Sequence, residues 1–173
     1  MIAHDKEVFD VAFNPKSSDI FASVGAEGSI RLFDTRSLDH STILYETGDA
    51  QPLLRLAWNP LDNNYVACFG VDSQQVVIVD VRSAAVPVAI LSDQSGSSPI
   101  SSMRWAPHNS GWLAVADAAG LKLWDVSQNV SQPSWSLTDQ AQFNGTLQNL
   151  VWPANAPDWI AASTATDVHL IKL

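Results

Sequence analysis

The side chains best suited to acid–base or metal chemistry are four histidines and one cysteine, scattered along 173 residues. They are His4, His40, His108, His169 and Cys68. The histidines match no zinc-ligand spacing, and Cys68 has no second cysteine with which to share a metal. The sequence contains no Gly-x-Gly-x-x-Gly and no phosphate-binding loop. We therefore expect no enzymatic activity, no cofactor, no metal and no small-molecule substrate.

The elements that position these side chains are predicted β-hairpins. In residues 21–36, two apolar segments flank a turn that contains Gly25 and Gly28, and Ile30 and Leu32 alternate with polar neighbours. Similar hairpins recur at residues 65–82, 112–127 and 159–173. This recurrence predicts a repeat array.

One aromatic position opens each repeat at an almost constant interval. Phe13, Trp58, Trp105 and Trp152 are separated by 45, 47 and 47 residues, and a proline follows each within two residues. A period of about 40–45 residues with four short strands is typical of a β-propeller blade. We expect one all-β domain over residues 1–173, a partial or open propeller of four blades whose last blade lacks its outer strand. The predicted repeats span residues 4–46, 51–91, 98–138 and 144–173.

The seven tryptophans are open to two interpretations. Their regular spacing favours a role in the core of each repeat over a role in an aromatic peptide-binding cage. Trp135 stands outside the regular positions, and it is either an exposed contact for a partner or part of outer-strand packing.

The charge balance limits the classes of partner. Nine basic residues stand against eighteen acidic ones, which gives a net charge of −9. This net negative charge repels the phosphates of nucleic acids and anionic lipids. No apolar run approaches the roughly 20 residues of a membrane-spanning helix. We expect a soluble intracellular protein that binds neither nucleic acid nor membranes.

Several segments resemble WD-repeat proteins, in particular the family of the plant regulator Transparent Testa Glabra and its animal relative, a substrate receptor of cullin-RING ubiquitin ligases. The segments are Ala-His-Asp-Lys-Glu-Val-Phe-Asp at 3–10, Phe-Ala-Ser-Val-Gly-Ala at 21–26, His-Ser-Thr-Ile at 40–43, Pro-Leu-Leu-Arg-Leu-Ala-Trp-Asn at 52–59, Val-Val-Ile-Val-Asp-Val-Arg at 76–82 and Pro-Asp-Trp-Ile-Ala at 157–161. Propellers of that family have about seven blades. The resemblance implies that the four repeats form the later part of such a fold.

The resemblance also implies a polar network in each blade, built from a His, a Ser or Thr, an Asp and a Trp. The first repeat offers His4 and Ser23 but has Glu27 in place of the Asp and Phe33 in place of the Trp. We therefore expect a weak network, with cohesion supplied mostly by the packed aromatic residues.

The function implied by the resemblance is a non-catalytic scaffold in the cytoplasm and nucleus. Its partners would be MYB and basic helix-loop-helix transcription factors or protein kinases. The alternative is a ligase substrate receptor. In ligase-associated WD proteins an Asp-x-Arg after the third strand contacts the ligase adaptor, and this sequence has Asp34 with Arg36 and Asp80 with Arg82. Each Arg alternatively pairs only with its own Asp.

Five charged residues in predicted loops complete the candidate interaction surface. They are Lys6, Glu7, Glu27, Asp72 and Asp117, which we expect on one propeller face, because scaffold loops commonly carry function. A propeller hydrolase is the remaining alternative. It would need inward-facing carboxylates with separated pKa values, which the sequence does not supply.

Overall fold

A computed structural model describes residues 3–93, 98–128, 135–137, 143 and 145–173, and for 135–137 it describes the strand alone. Within this part of the chain, strands form four antiparallel sheets in chain order. The first sheet contains β1 (Val8–Phe13), β2 (Ile20–Gly25), β3 (Ser29–Asp34) and β4 (Ser37–Glu46). The second contains β5 (Leu53–Trp58), β6 (Tyr65–Gly70), β7 (Gln75–Asp80) and β8 (Ala89–Ser92).

The other two sheets repeat the same order of hairpins. The third contains β9 (Ile100–Trp105), β10 (Trp112–Asp117), β11 (Gly120–Asp125) and β12 (Trp135–Leu137), with a 3-10 turn at Val126–Gln128 before β12. The fourth contains β13 (Asn149–Val151), β14 (Trp159–Ser163) and β15 (Val168–Lys172). Among the described residues this last sheet has three strands, as the sequence predicts.

The tight hairpins depend on residues that tolerate a left-handed backbone. Gly28 has a φ of 85° between β2 and β3, and Gly120 has a φ of 140° where β11 begins. Asp72, between β6 and β7, has a φ of 54° without being a glycine. Short polar residues adopt this conformation more easily than branched ones. The turn residues of the sequence thus close the hairpins that carry the repeat.

The chain divides into two compact units, each with its own apolar core. The N-terminal unit comprises Met1–Val71 and Gln75–Ile90, and the C-terminal unit comprises Asp72–Gln74 and Leu91–Leu173. The core of the first unit joins side chains of the first two sheets, including Val24, Ile30 and Val66. The core of the second joins the last two sheets, including Leu121 and Leu150. Apolar residues of successive repeats therefore share one interior within each unit.

Polar contacts between neighbouring first strands reinforce this packing. In the N-terminal unit, Trp58 Nε1 donates to the carbonyl of Ala12 at 2.9 Å, and the amide of Leu56 donates to Asp10 Oδ2 at 3.1 Å. In the C-terminal unit, the amide of Leu150 donates to Ser102 Oγ at 3.2 Å. These contacts join residues 46 to 48 positions apart. The period seen in the sequence is the distance along the chain between adjacent sheets.

Of the four aromatic residues that open the repeats, three are buried. Trp58, Trp105 and Trp152 belong to the core, and so does Trp124 of β11. Phe13, which opens the first repeat, has an exposed fraction of 57% and does not belong to the core. Its ring contacts Phe21 at a centroid distance of 5.4 Å, on the sheet face opposite to the shared core. Trp159 is also 40% exposed.

Candidate interaction site

One hydrogen bond recurs in all four repeats and defines the turn that carries the Asp-x-Arg sequences. The amide after the third strand donates to a carbonyl just before the second strand of the same sheet. The pairs are Thr35 to Asp19 at 2.7 Å, Val81 to Asn64 at 2.8 Å, Val126 to Gly111 at 2.7 Å and Leu173 to Asp158 at 2.9 Å. Asp34 and Asp80 therefore occupy equivalent positions at the ends of β3 and β7.

In the first repeat, Arg36 makes a bidentate contact with the carboxylate of Asp34. Arg36 Nε donates to Asp34 Oδ1 at 2.9 Å, and Nη2 donates to Oδ2 at 2.5 Å. The backbone amide of Arg36 also donates to Oδ1, at 2.9 Å. Hydrogen bonds from the guanidinium and this amide lower the pKa of Asp34 to about 2. The side chain of Arg36 nevertheless stays 69% exposed.

The second repeat reproduces this geometry almost atom for atom. Arg82 Nε donates to Asp80 Oδ1 at 2.9 Å, Nη2 donates to Oδ2 at 2.6 Å, and the Arg82 amide donates to Oδ1 at 2.9 Å. The guanidinium hydrogen bond again lowers the pKa of the carboxyl. Asp80 is buried, whereas the Arg82 side chain is 62% exposed. Each Asp thus holds its Arg in a fixed, exposed orientation.

The third repeat keeps the acidic residue but replaces the basic one. The amide and the hydroxyl of Ser127 donate to Asp125 Oδ1, at 3.0 Å and 2.5 Å. The third repeat therefore keeps the backbone hydrogen bond of the turn and the amide contact to the carboxylate without a guanidinium. The local pairing that the sequence left open is present in both Asp-x-Arg repeats, and a role for either Arg in partner binding stays a prediction.

The first repeat contains a connected polar network, which is more extensive than the weak network expected, although Glu27 Oε2 is buried without a hydrogen-bond partner among the described residues. His4 is buried, and its Nε2 lies 2.6 Å from Ser23 Oγ. His4 Nδ1 contacts Glu27 Oε1, which also accepts a hydrogen bond from Ser29 Oγ at 2.7 Å. The longer Glu side chain replaces the expected Asp because Gly25 leaves room for it: a Cβ on Gly25 would lie 2.6 Å from Glu27 Oε2.

A second polar cluster, which sequence reasoning missed, lies in the third repeat. Lys122 Nζ donates to Asp117 Oδ2 at 2.6 Å and lies 2.7 Å from Asp93 Oδ2. Asp117 Oδ1 accepts the amides of Ala119 and Gly120. Burial by itself lowers the pKa of Lys122, but the two carboxylates outweigh it and raise that pKa. A charged residue within the apolar run 121–124 was the available signal.

These two networks correct part of the predicted interaction surface. Glu27 is only 14% exposed and Asp117 is buried, so neither side chain is presented to a partner. Lys6, Glu7 and Asp72 are exposed, as expected for partner-facing loops. Trp135 lies in β12 opposite Leu123, but its side chain is outside the described residues.

The described residues contain no cluster of three or more His, Cys, Asp or Glu side chains able to hold a metal ion. In the same ranges, no helix has the length and apolar character needed to cross a membrane. Cys68 is buried in β6, and burial raises the pKa of its thiol to about 12.

The repeat period, the four antiparallel sheets and the similarity to known proteins identify a WD-repeat protein with the fold of a partial β-propeller. No protein-family profile matches the chain. A DDB1- and CUL4-associated factor 7 homolog from Dictyostelium discoideum is 42% identical over all of this chain and 52% of its own length.

Two yeast proteins show the same relationship. A WD repeat-containing protein from Schizosaccharomyces pombe is 40% identical over 76% of the chain and 34% of its own length. Another from Saccharomyces cerevisiae is 36% identical over 84% of the chain and 31% of its own length. The chain thus spans about half of the Dictyostelium relative and about a third of each yeast relative.

Proposed function

We propose that this chain is part of a non-catalytic scaffold that binds several proteins, one of them the adaptor of a cullin-RING ubiquitin ligase. The observation that carries the adaptor contact is the pair of equivalent Asp-x-Arg turns. Each holds an exposed guanidinium with two of its nitrogens on an Asp. Arg36 Nη1 and Arg82 Nη1 have no partner among the described residues, so they remain available to a second carboxylate or carbonyl.

The similarity to the Dictyostelium protein supports this adaptor contact, because that protein's name describes association with DDB1 and CUL4. Charge-assisted contacts from a preoriented Arg gain affinity, since less side-chain entropy is lost on binding. A DDB1-type adaptor is therefore the partner to test first.

The adaptor contact is tested by binding of a purified DDB1-type protein, measured by biolayer interferometry. We expect the double variant Arg36→Glu and Arg82→Glu to weaken binding at least about tenfold, equivalent to about 1.4 kcal/mol. The double variant Arg36→Lys and Arg82→Lys separates charge from geometry, because Lys keeps the positive charge but lacks the planar guanidinium that makes bidentate contacts. Arg104→Glu is the matched control. Unchanged binding of the Glu double variant would exclude the adaptor role.

The second class of partner rests on the resemblance to the Transparent Testa Glabra family. MYB and basic helix-loop-helix transcription factors, or protein kinases, are the candidates, with the cytoplasm and nucleus as the location. A scaffold must hold two partners at once. Analytical ultracentrifugation of the chain with the adaptor and one such partner should show a ternary species, whereas strict competition between them would contradict a scaffold.

A further inference from the structure

A cavity of about 410 Å³ lies within the C-terminal unit. It lies where the β9–β10 loop, the β13–β14 loop and the residue after β15 approach one another. The lining residues are His108, Trp112, Leu123, Pro157, Asp158 and Leu173. This volume falls in the range of about 300–1,000 Å³ that is usual for ligand pockets. The space accommodates a large side chain of a partner.

The walls of this cavity are held by contacts among the lining residues and with Trp152. The His108 ring packs edge-on against Trp112 and Trp152, with centroid distances of 6.0 Å and 5.6 Å. Trp152 is buried, and its Nε1 donates to the carbonyl of Pro157 at 2.8 Å. The amide of Leu173 donates to the carbonyl of Asp158. The aromatic and aliphatic surfaces are therefore in place before any ligand binds.

The charge of the lining points to a cation. Asp158 is the acidic residue of the lining. Its side chain is exposed, and no described side chain or backbone amide donates a hydrogen bond to its carboxylate. The other lining residues supply two aromatic rings and three aliphatic side chains. The whole chain carries a net charge of −9, which attracts basic partners. An occupant with an apolar stem and a cationic end matches these surfaces.

We propose that this cavity binds an arginine side chain of a partner protein. The flat guanidinium stacks on an indole or imidazole face and also forms a two-pronged contact with a carboxylate, whereas the ammonium of lysine is a compact, strongly hydrated charge. The methylene groups of the arginine pack against Leu123 and Pro157, which excludes water from the contact. Asp158 thus favours an occupant with a positive charge, and the ring of Trp112 favours one with a planar end group.

The occupant is assigned to a protein because of the proposed scaffold function, but its chemistry is testable on this chain alone. The probe is N-acetyl-L-arginine amide, titrated while the Trp112 indole N–H resonance is followed by NMR. N-acetyl-L-citrulline amide has nearly the same shape without the charge. We expect the citrulline probe to bind at least about tenfold more weakly. The lysine and norleucine analogues should also bind more weakly than the arginine probe.

The matched variants are Asp158→Asn and Asp19→Asn. Both aspartates occupy the same place in their repeats, since each carbonyl accepts the amide that follows the third strand. Asp158→Asn should remove the preference for arginine over citrulline, whereas Asp19→Asn should leave it unchanged. Equal binding of arginine and citrulline, equal binding of lysine or norleucine, or shifts confined to resonances outside the cavity would overturn the assignment. Adaptor binding by the Arg36 and Arg82 turns is measured separately, so either proposal can fail alone.

Discussion

Lys122 Nζ lies 2.6 Å from Asp117 Oδ2, and both side chains are almost fully buried in the hairpin formed by β10 and β11. The neighbouring Asp93 lies 2.7 Å from the same ammonium group. Two carboxylates therefore share one buried cation. Removing the cation would leave two acidic groups without compensation, which is more costly than replacing a whole ion cluster with apolar residues.

We predict that Lys122→Met lowers the free energy of unfolding by about 3–5 kcal/mol, measured by urea denaturation. The control is Lys172→Met, because Lys172 is exposed at the end of β15. Adding Asp93→Asn and Asp117→Asn to Lys122→Met should recover part of the loss. The raised pKa of Lys122 implies a contribution that is complete below about pH 10.5 and lost as the pH rises through its folded pKa. A Lys122→Met protein as stable as the parent would contradict this role.

The carboxylate of Glu27 should make stability depend on pH in the acid range. Burial raises its pKa, but hydrogen bonds from Ser29 and His4 outweigh burial, and the net pKa is lowered from 4.5. A lowered folded pKa stabilises the protein above about pH 4.5, and this contribution is lost as the pH falls through the folded value. The other charged group facing Glu27 is Arg31, whose Nε lies 3.8 Å from Oε1.

We therefore predict that Glu27→Gln costs about 1–2 kcal/mol at pH 7 and progressively less below pH 4.5. Urea denaturation at a series of pH values between 7 and 3 measures both parts of the effect. Glu7→Gln is the matched control, because Glu7 is exposed. If the difference between Glu27→Gln and the parent protein stayed constant across this range, the predicted titration of Glu27 would be wrong.

The indole of Trp58 links the first two sheets through its hydrogen bond to the Ala12 carbonyl. Trp58→Phe keeps most of the apolar surface but removes the donor. We predict a loss of about 1–3 kcal/mol, because the carbonyl loses its partner and a small void remains. Trp159→Phe, at a 40% exposed position, should change stability by no more than about 0.5 kcal/mol. Equal losses for the two variants in thermal and urea unfolding would contradict a contribution from the hydrogen bond and packing of Trp58.

Cys68 should be unreactive in the native state. Its thiol is fully buried in β6, and burial raises its pKa to about 12. Because the thiolate is the nucleophile, alkylation by iodoacetamide at pH 8 should be slow in the folded protein and rapid in urea. Mass spectrometry measures the modified fraction under both conditions. Equal rates in the two states would show that the thiol is accessible without unfolding.

Short-range features were predictable because their causes are local. The hairpin turns depend on residues such as Gly28, which adopt a backbone conformation that branched residues avoid. The pairing of Arg36 with Asp34 spans two positions, so a single turn brings the groups together. The repeat itself was visible because three of the four sheets bury a tryptophan at the same place, and Phe13 occupies that place in the first sheet.

The sequence by itself therefore determined the repeat, the sheet order within each repeat and the Asp-x-Arg turns. Only the tertiary structure decided which charges are buried and which apolar groups are exposed. Lys122 reaches Asp93 from 29 positions away, and His108 reaches Trp152 from 44 positions away. Phe13 is exposed although it matches its buried equivalents, because burial requires a neighbouring surface that no local pattern encodes. The cavity proposed to bind arginine likewise follows from no local pattern, since its walls come from separate repeats.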